Sequence, residues 1–263
     1  IYALQRTGIT EDLFKAGAPV VMFGLVTPNR PRHFLASHVL LPDGTETVLQ
    51  ANAEPHWPGR TLGGRLQWVA DEAEAVDAAE DNRGVFRVWS IPALADRVLH
   101  VPFTDAAIAS RATWDALNNF TSRCEPEGMP RVMINPHPFE FVDGGDTIQL
   151  RVELYDQERA IHMGGSIPED APASRLGYSV GHWEGSELVV ETTRVNWPYF
   201  DNIGTRQGEN VLMVERFRLS DDQRRLDYHL TVTDSGTFTE PATITGHWLA
   251  LGEAIAPYEC EVS

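Results

Sequence analysis

Gly181-His182-Trp183-Glu184-Gly185-Ser186-Glu187-Leu188-Val189-Val190-Glu191-Thr192-Thr193 is the stretch whose reading decides the fold. Gly185-Ser186 is a turn signal between two short runs, and Leu188-Val189-Val190 gives the second run the apolar, β-branched character of a strand. Asn196-Trp197-Pro198-Tyr199-Phe200 follows at once as an aromatic loop. The stretch reads as a central β element beside a pocket.

The same punctuation recurs on both sides of it. Turn signals stand at Asp143-Gly144-Gly145-Asp146, Asp156-Gln157-Glu158, Gly164-Gly165, Ser220 to Arg224 and Ser235-Gly236. Strands at this spacing, without helices between them, predict a mainly β protein with an antiparallel, lipocalin-like β-barrel over residues 121–263. Before it, residues 1–50 read as part of a small β domain whose first strands precede Ile1. Its runs are Ala18 to Val26, Phe34 to Leu41 and Thr45 to Leu49, and Pro42-Asp43-Gly44 is the hairpin turn between the last two.

Residues 51–120 read as a linker. It holds a Pro/Gly-rich loop to Gly64, an acidic, alanine-rich run from Asp71 to Asp81 expected as a solvated helix or linker, and a short strand at Val85 to Trp89. A helix over Ala106 to Leu117 follows, capped by Thr104-Asp105 and stopped by Asn118-Asn119.

Composition bounds the partners. A net charge of -17 and a pI near 4.8 disfavour nucleic acid and anionic membrane surfaces, which repel such a chain. No run reaches the ~18 apolar residues of a membrane-spanning helix, so no membrane insertion is expected. The sequence opens at Ile1 without a signal peptide, which reads as a processed or truncated product whose missing segment had room for an export signal.

Cys124 and Cys260 allow two readings: a disulfide joining the start of the strand-rich half to its end, implying an oxidising compartment, or two unrelated buried thiols.

Alternation along Val211 to Leu219 puts Val211, Met213, Glu215, Phe217 and Leu219 on one face, so Glu215 points with the core side chains. Arg159, Ile161 and Met163 share a face likewise, as do Leu226, Tyr228, Leu230 and Val232. A lone buried carboxylate is costly, and Arg159 is its candidate partner. Either the pair merely fixes strand register, or Glu215, Arg159, Glu191, His162 and Tyr228 form a polar cluster for acid/base work in a barrel cavity. The direction of Glu191 is open, because its strand has the apolar content of one covered on both faces. Trp197, Tyr199 and Phe200 form either a lid over an apolar ligand, with Met213 and Phe217 beneath, or a plug closing the barrel end.

Weaker constellations add little. His182-Trp183-Glu184 lacks the spaced partners of a metal site, and none is expected. Gly177-Tyr178-Ser179-Val180-Gly181 departs from the hydrolase elbow, and no dinucleotide or phosphate-binding glycine motif is present, so no cofactor is expected.

Several segments resemble a group of exported bacterial proteins built as a small β domain followed by a larger β-rich one. They are Cys124-Glu125-Pro126-Glu127-Gly128-Met129-Pro130-Arg131, Pro136-His137-Pro138-Phe139-Glu140-Phe141-Val142, Arg159-Ala160-Ile161-His162-Met163, Gly181-His182-Trp183-Glu184-Gly185 through Thr192, Glu215-Arg216-Phe217 and Tyr258-Glu259-Cys260. The resemblance covers most of the chain and implies an envelope location, periplasmic or secreted, and a two-part architecture. It brings no activity to transfer. Relatives tend to carry an acidic residue where this chain has Gly164, which implies an altered reaction if that acid served one.

The leading expectation is a cofactor-independent acid/base enzyme of lyase or isomerase type, acting on a small, partly apolar molecule inside the barrel. Glu215 or Glu191 would be the base, Arg159 the holder of an anionic or carbonyl group, and His162 or Tyr228 the proton donor. The rival is a non-catalytic periplasmic small-ligand-binding or scaffold protein. An interior filled by side chains favours the rival, and a cavity of ~300 Å³ or more lined by those groups favours the enzyme.

Overall fold

The computed structural model describes residues 4, 7–26, 34–50, 53–64, 72–81, 83–92, 97–115, 120–252, 254–255, 257–258 and 260. The chain forms two compact units, 1–69 and 70–263. The first is a four-stranded sheet in the order β1 (Val21–Val26), β2 (Phe34–Leu40), β3 (Glu46–Val48), β4 (Thr61–Gly63). The Asp43-Gly44 turn joins β2 to β3 as expected, with the Asp43 carboxylate accepting the Thr45 N–H at 2.9 Å. Buried Glu46 accepts the His56 and Trp57 N–H groups at 2.7 and 3.0 Å, so its carboxylate holds the following loop.

The second unit is a closed barrel. Its strands are β5 (Val88–Ser90), β6 (Val98–His100), β7 (Phe139–Asp143), β8 (Thr147–Val152), β9 (Gln157–Met163), β10 (Tyr178–Glu184), β11 (Glu187–Thr193), β12 (Leu212–Leu219), β13 (Arg225–Thr233) and β14 (Ala242–Leu251). Nine of them close in the order β13-β12-β11-β10-β9-β8-β7-β5-β14, because β14 also pairs with β13, and β6 lies against the first half of β14. Closure leaves no open sheet edge around the ring.

Residues read as a linker, 51–120, divide between the units: β4 belongs to the first, while β5 and β6 are strands of the barrel sheet. The acidic run forms α1 (Glu72–Ala79), which is not wholly solvated, since Ala75 is fully buried against Val88, Leu249 and Leu251. The later helix is shorter than expected: α2 (Asp105–Ser110) passes into a 3-10 turn at Arg111–Thr113 and extends no further than Trp114. Its N-cap is Thr104, whose hydroxyl accepts the Ala107 N–H at 3.1 Å. The expected stop at Asn118-Asn119 lies outside the described residues.

Within the barrel sheet one strand pairing departs from the antiparallel expectation. β9 and β10 are parallel, with Ser179 beside Ile161 and Gly181 beside Met163. Segment 164–177 causes this by carrying the chain back to the end where β9 began. At Gly181 a Cβ would lie 2.7 Å from Ile161 Cγ2 and 3.0 Å from Met163 Sδ, so the close approach of the two strands requires glycine.

Aromatic side chains pack together in the barrel interior. Phe139, Phe141, Phe217, Tyr228 and Trp248 are at most 4% exposed. Their rings form one chain of contacts, with centroids 4.8 Å apart for Phe139–Trp248 and Tyr228–Trp248 and 5.2 Å for Phe141–Phe217. Edge-to-face and tilted contacts at these distances are the favoured aromatic packing. Ile148, Leu150, Ile161, Leu188, Val190, Met213, Leu226 and Leu230 complete the core.

Cys124 and Cys260 form a disulfide with Cα atoms 5.7 Å apart, joining the start of the barrel half to the chain end. This bond fits a non-cytoplasmic protein. Among the described residues no helix is long and apolar enough to cross a membrane.

Candidate functional site

Alternation places Glu215 inside the barrel, where it is 0% exposed, between Val190 on β11 and Leu230 on β13. Arg159, 2% exposed, meets it: Nη2 donates to Glu215 Oε2 and, at 2.7 Å, to Thr192 Oγ1. Arg159 Nε donates to Ser179 Oγ at 3.0 Å, and the Tyr228 hydroxyl donates to Glu215 Oε1 at 3.0 Å. Burial first, and then the Glu215 carboxylate, holds the Tyr228 phenol well above its ordinary pKa, so at neutral pH it is a donor and not an acid. Arg159 Nη1 is buried without a hydrogen-bond partner.

This cluster contains three of the expected residues, Glu215, Arg159 and Tyr228. Ser179 and Thr192 take the places expected for His162 and Glu191. Glu191 is exposed: it is paired with Val180 and Val214, on the outer face of β11, one residue out of phase with Thr192. His162 is likewise one residue beyond Ile161, and its ring stacks on Tyr178 at 4.6 Å outside the barrel. Met213 and Phe217 are core residues, each fully buried.

In the aromatic loop Trp197 and Phe200 are buried and Tyr199 is half-buried. Trp197 is 6% exposed and meets Phe120 at 5.2 Å, and Phe200 is 2% exposed and meets Phe238 at 4.9 Å. Gly128 packs so closely on Trp197 that a Cβ would lie 2.3 Å from its Cγ. The Gln207 amide ties loop and segment by donating to the Met129 and Trp197 carbonyls at 2.7 and 2.8 Å. His182 and Glu184, 3.2 Å apart, lie exposed at the β10–β11 hairpin with Arg216. Among the described residues no three His, Cys, Asp or Glu side chains are grouped as a metal would need.

A cleft of about 400 Å³ lies at the β9–β10 seam. Arg159 and Ser179 line it together with His162, Tyr178, Ser174 and Arg175. The returning segment 164–177 supplies the last two, so the parallel seam creates the cleft. Arg175 Nη1 donates to the Pro126 carbonyl, and its Nη2 is 3.7 Å from Glu125.

A second polar centre went unnoticed in the sequence. It lies at the end of the barrel where β7 and β9 begin. Glu127 is 2% exposed; its Oε1 is 3.3 Å from Arg131 Nε, and its Oε2 is buried without a hydrogen-bond partner. Burial, opposed by Arg131, pushes the carboxyl from the ordinary 4.5 to about 7. Tyr155 and Tyr258 rings are 4.9 Å apart, and burial chiefly lifts both phenols, Tyr155 to about 12. Glu127 adds to both shifts electrostatically. His137 packs its ring 5.5 Å from Tyr258 and sets Nδ1 3.6 Å from the fully buried Glu153. No sequence-family model matches the chain, and no curated protein matches it.

Proposed function

We propose that the protein is a periplasmic or secreted small-ligand-binding barrel whose ligand occupies the cleft at the β9–β10 seam. The ligand class is a small, partly apolar molecule carrying a carboxylate or carbonyl oxygen. The observation that carries this reading is Arg159 Nη1, a buried donor without a partner on a residue that lines an open cleft of about 400 Å³. Buried N–H groups are satisfied in the great majority of cases, so an orphan beside a cleft calls for an acceptor. The stacked His162 and Tyr178 rings offer the apolar wall, and Arg175 a second guanidinium.

The net charge of -17 opposes an anion only at long range. At physiological ionic strength that repulsion decays over about 8 Å, whereas a guanidinium in contact acts undiminished. Acid/base chemistry inside the barrel has less support, since Glu191 faces out and the His162 ring lies against Tyr178. Titration with benzoate, followed by NMR shifts, tests the reading. Millimolar binding that falls at least 10-fold in both Arg175→Ala and Tyr178→Ala is expected. Binding that neither change weakens, or no binding at all, overturns it.

A further inference from the structure

The geometry points to the Glu127 centre as a general acid/base site, with Glu127 as the proton acceptor and the Tyr258 hydroxyl as the donor to a substrate oxygen. Four separate stretches build it: Glu127 and Arg131 from the segment after Cys124, His137 from the approach to β7, Glu153 and Tyr155 from the β8–β9 turn, and Tyr258 from the chain end. The Cys124–Cys260 disulfide fastens the last stretch to the first, two residues from Tyr258 and three from Glu127. The Tyr258 N–H is held from the other side by the Asp156 carboxylate, at 3.1 and 3.2 Å.

Backbone strain collects in the same place. Cys124, Tyr155 and Asp156 are three of the five non-glycine residues with positive φ among the described residues. Such conformations cost about 1–3 kcal/mol each and persist where surrounding structure imposes them, commonly at functional sites. The purely structural account is a buried ion pair at the rim. It does not explain why Glu127 Oε2 is left without a partner while buried Glu215, also paired with an arginine, accepts a hydrogen bond at each oxygen. One oxygen on Arg131 and one unengaged is the arrangement of a base awaiting a proton. Arg131, Tyr155 and Tyr258 are the partly exposed members of the group, so a ligand arriving from solvent meets the guanidinium and the phenols before Glu127.

The substrate class follows from the reagents. A carboxylate and a neutral phenol suit removal of a proton from carbon next to a ketone. Glu127 takes the proton, the C–H electron pair moves into the carbonyl system, and the enolate oxygen accepts the Tyr258 O–H hydrogen bond. Return of the same proton at another carbon restores the Glu127 carboxylate and leaves an isomer, so no co-reactant is consumed. None of these residues lines the seam cleft, and failure of this assignment would leave the ligand-binding proposal standing.

The test uses the full oxidised chain with cyclohex-3-enone, whose conversion to the conjugated enone is read by ultraviolet absorbance. Acceleration over buffer is expected, with a rate that rises through neutral pH, a loss of about 100-fold in Glu127→Gln and a smaller loss in Tyr258→Phe. His182→Ala, on the exposed hairpin, serves as the unaffected control. Should Glu127→Gln unfold, Glu127→Asp replaces it, with partial activity expected, and the neutral-pH protonation of Glu127 is followed by its carboxyl infrared band. A wild-type rate equal to buffer, or a folded Glu127 variant with the wild-type rate, overturns the assignment.

Discussion

Glu215 and Glu127 are both buried carboxylates with an arginine partner, yet their neighbours give them different physical roles. Glu215 accepts from Arg159 on one oxygen and from Tyr228 on the other, within hydrogen bonds that also take in Ser179 and Thr192. Glu127 has Arg131 at one oxygen only, and burial outweighs that single cation. A folded-state pKa of about 7 against an ordinary 4.5 means the folded protein holds a proton that the unfolded chain has released. Stability is therefore complete below pH 4.5 and falls as pH rises toward 7, by an amount on the order of 3 kcal/mol. Glu127→Gln, which cannot ionise, is expected to match wild type near pH 4 and to exceed its stability at pH 8, measured by urea denaturation. Equal stabilities at both pH values would show that burial does not hold this carboxyl protonated. Period-two alternation found Glu215, because a strand fixes the direction of its side chains. It failed at Glu127, which lies in irregular chain where no periodicity tells inside from outside, and whose partners come from distant turns.

Among the elements, the β9–β10 seam shows where sequence reading runs out. Gly164-Gly165 ends β9 with the same signal that marks the hairpins, and nothing local reveals that the next strand lies parallel. The difference sits in segment 164–177, whose course depends on tertiary packing, whereas Gly185-Ser186 truly is a tight hairpin turn. Nothing in the sequence marks Gly181 as the point where Ile161 and Met163 press on β10. Gly181→Ala would put its Cβ 2.7 Å from Ile161 Cγ2, and overpacking of this kind costs about 1–3 kcal/mol. Chemical denaturation should show that loss, and Ile161→Ala, which removes Cγ2, should cost less in the Gly181→Ala chain than it does alone. If the second change costs as much in both chains, the strands do not meet at that glycine. The seam cleft should change with it, so benzoate binding belongs in the same measurement.

For the whole molecule, barrel closure and the disulfide serve different ends. The nine-strand ring is held by its own pairing and by an aromatic interior, and β14, the final strand, already closes it against β13 and β5. Cys260 lies beyond that closure, so the bond to Cys124 spans 136 positions and fixes the tail that carries Tyr258. The chain-entropy argument gives about 4 to 5 kcal/mol for a loop of that length, because the cross-link restricts the unfolded chain most. That figure applies only if the tail unfolds together with the barrel. Because the strands close without Cys260, reduction is expected to release the tail first: the double change Cys124→Ser and Cys260→Ser should keep the far-ultraviolet signature of the barrel. It should lower the melting temperature by several degrees and abolish the enone isomerisation assigned to Glu127 and Tyr258. Benzoate binding at the seam, built from β9, β10 and segment 164–177, should persist in the same variant. Joint loss of both activities would mean that the disulfide supports the barrel itself, and joint survival would mean that Tyr258 needs no tether.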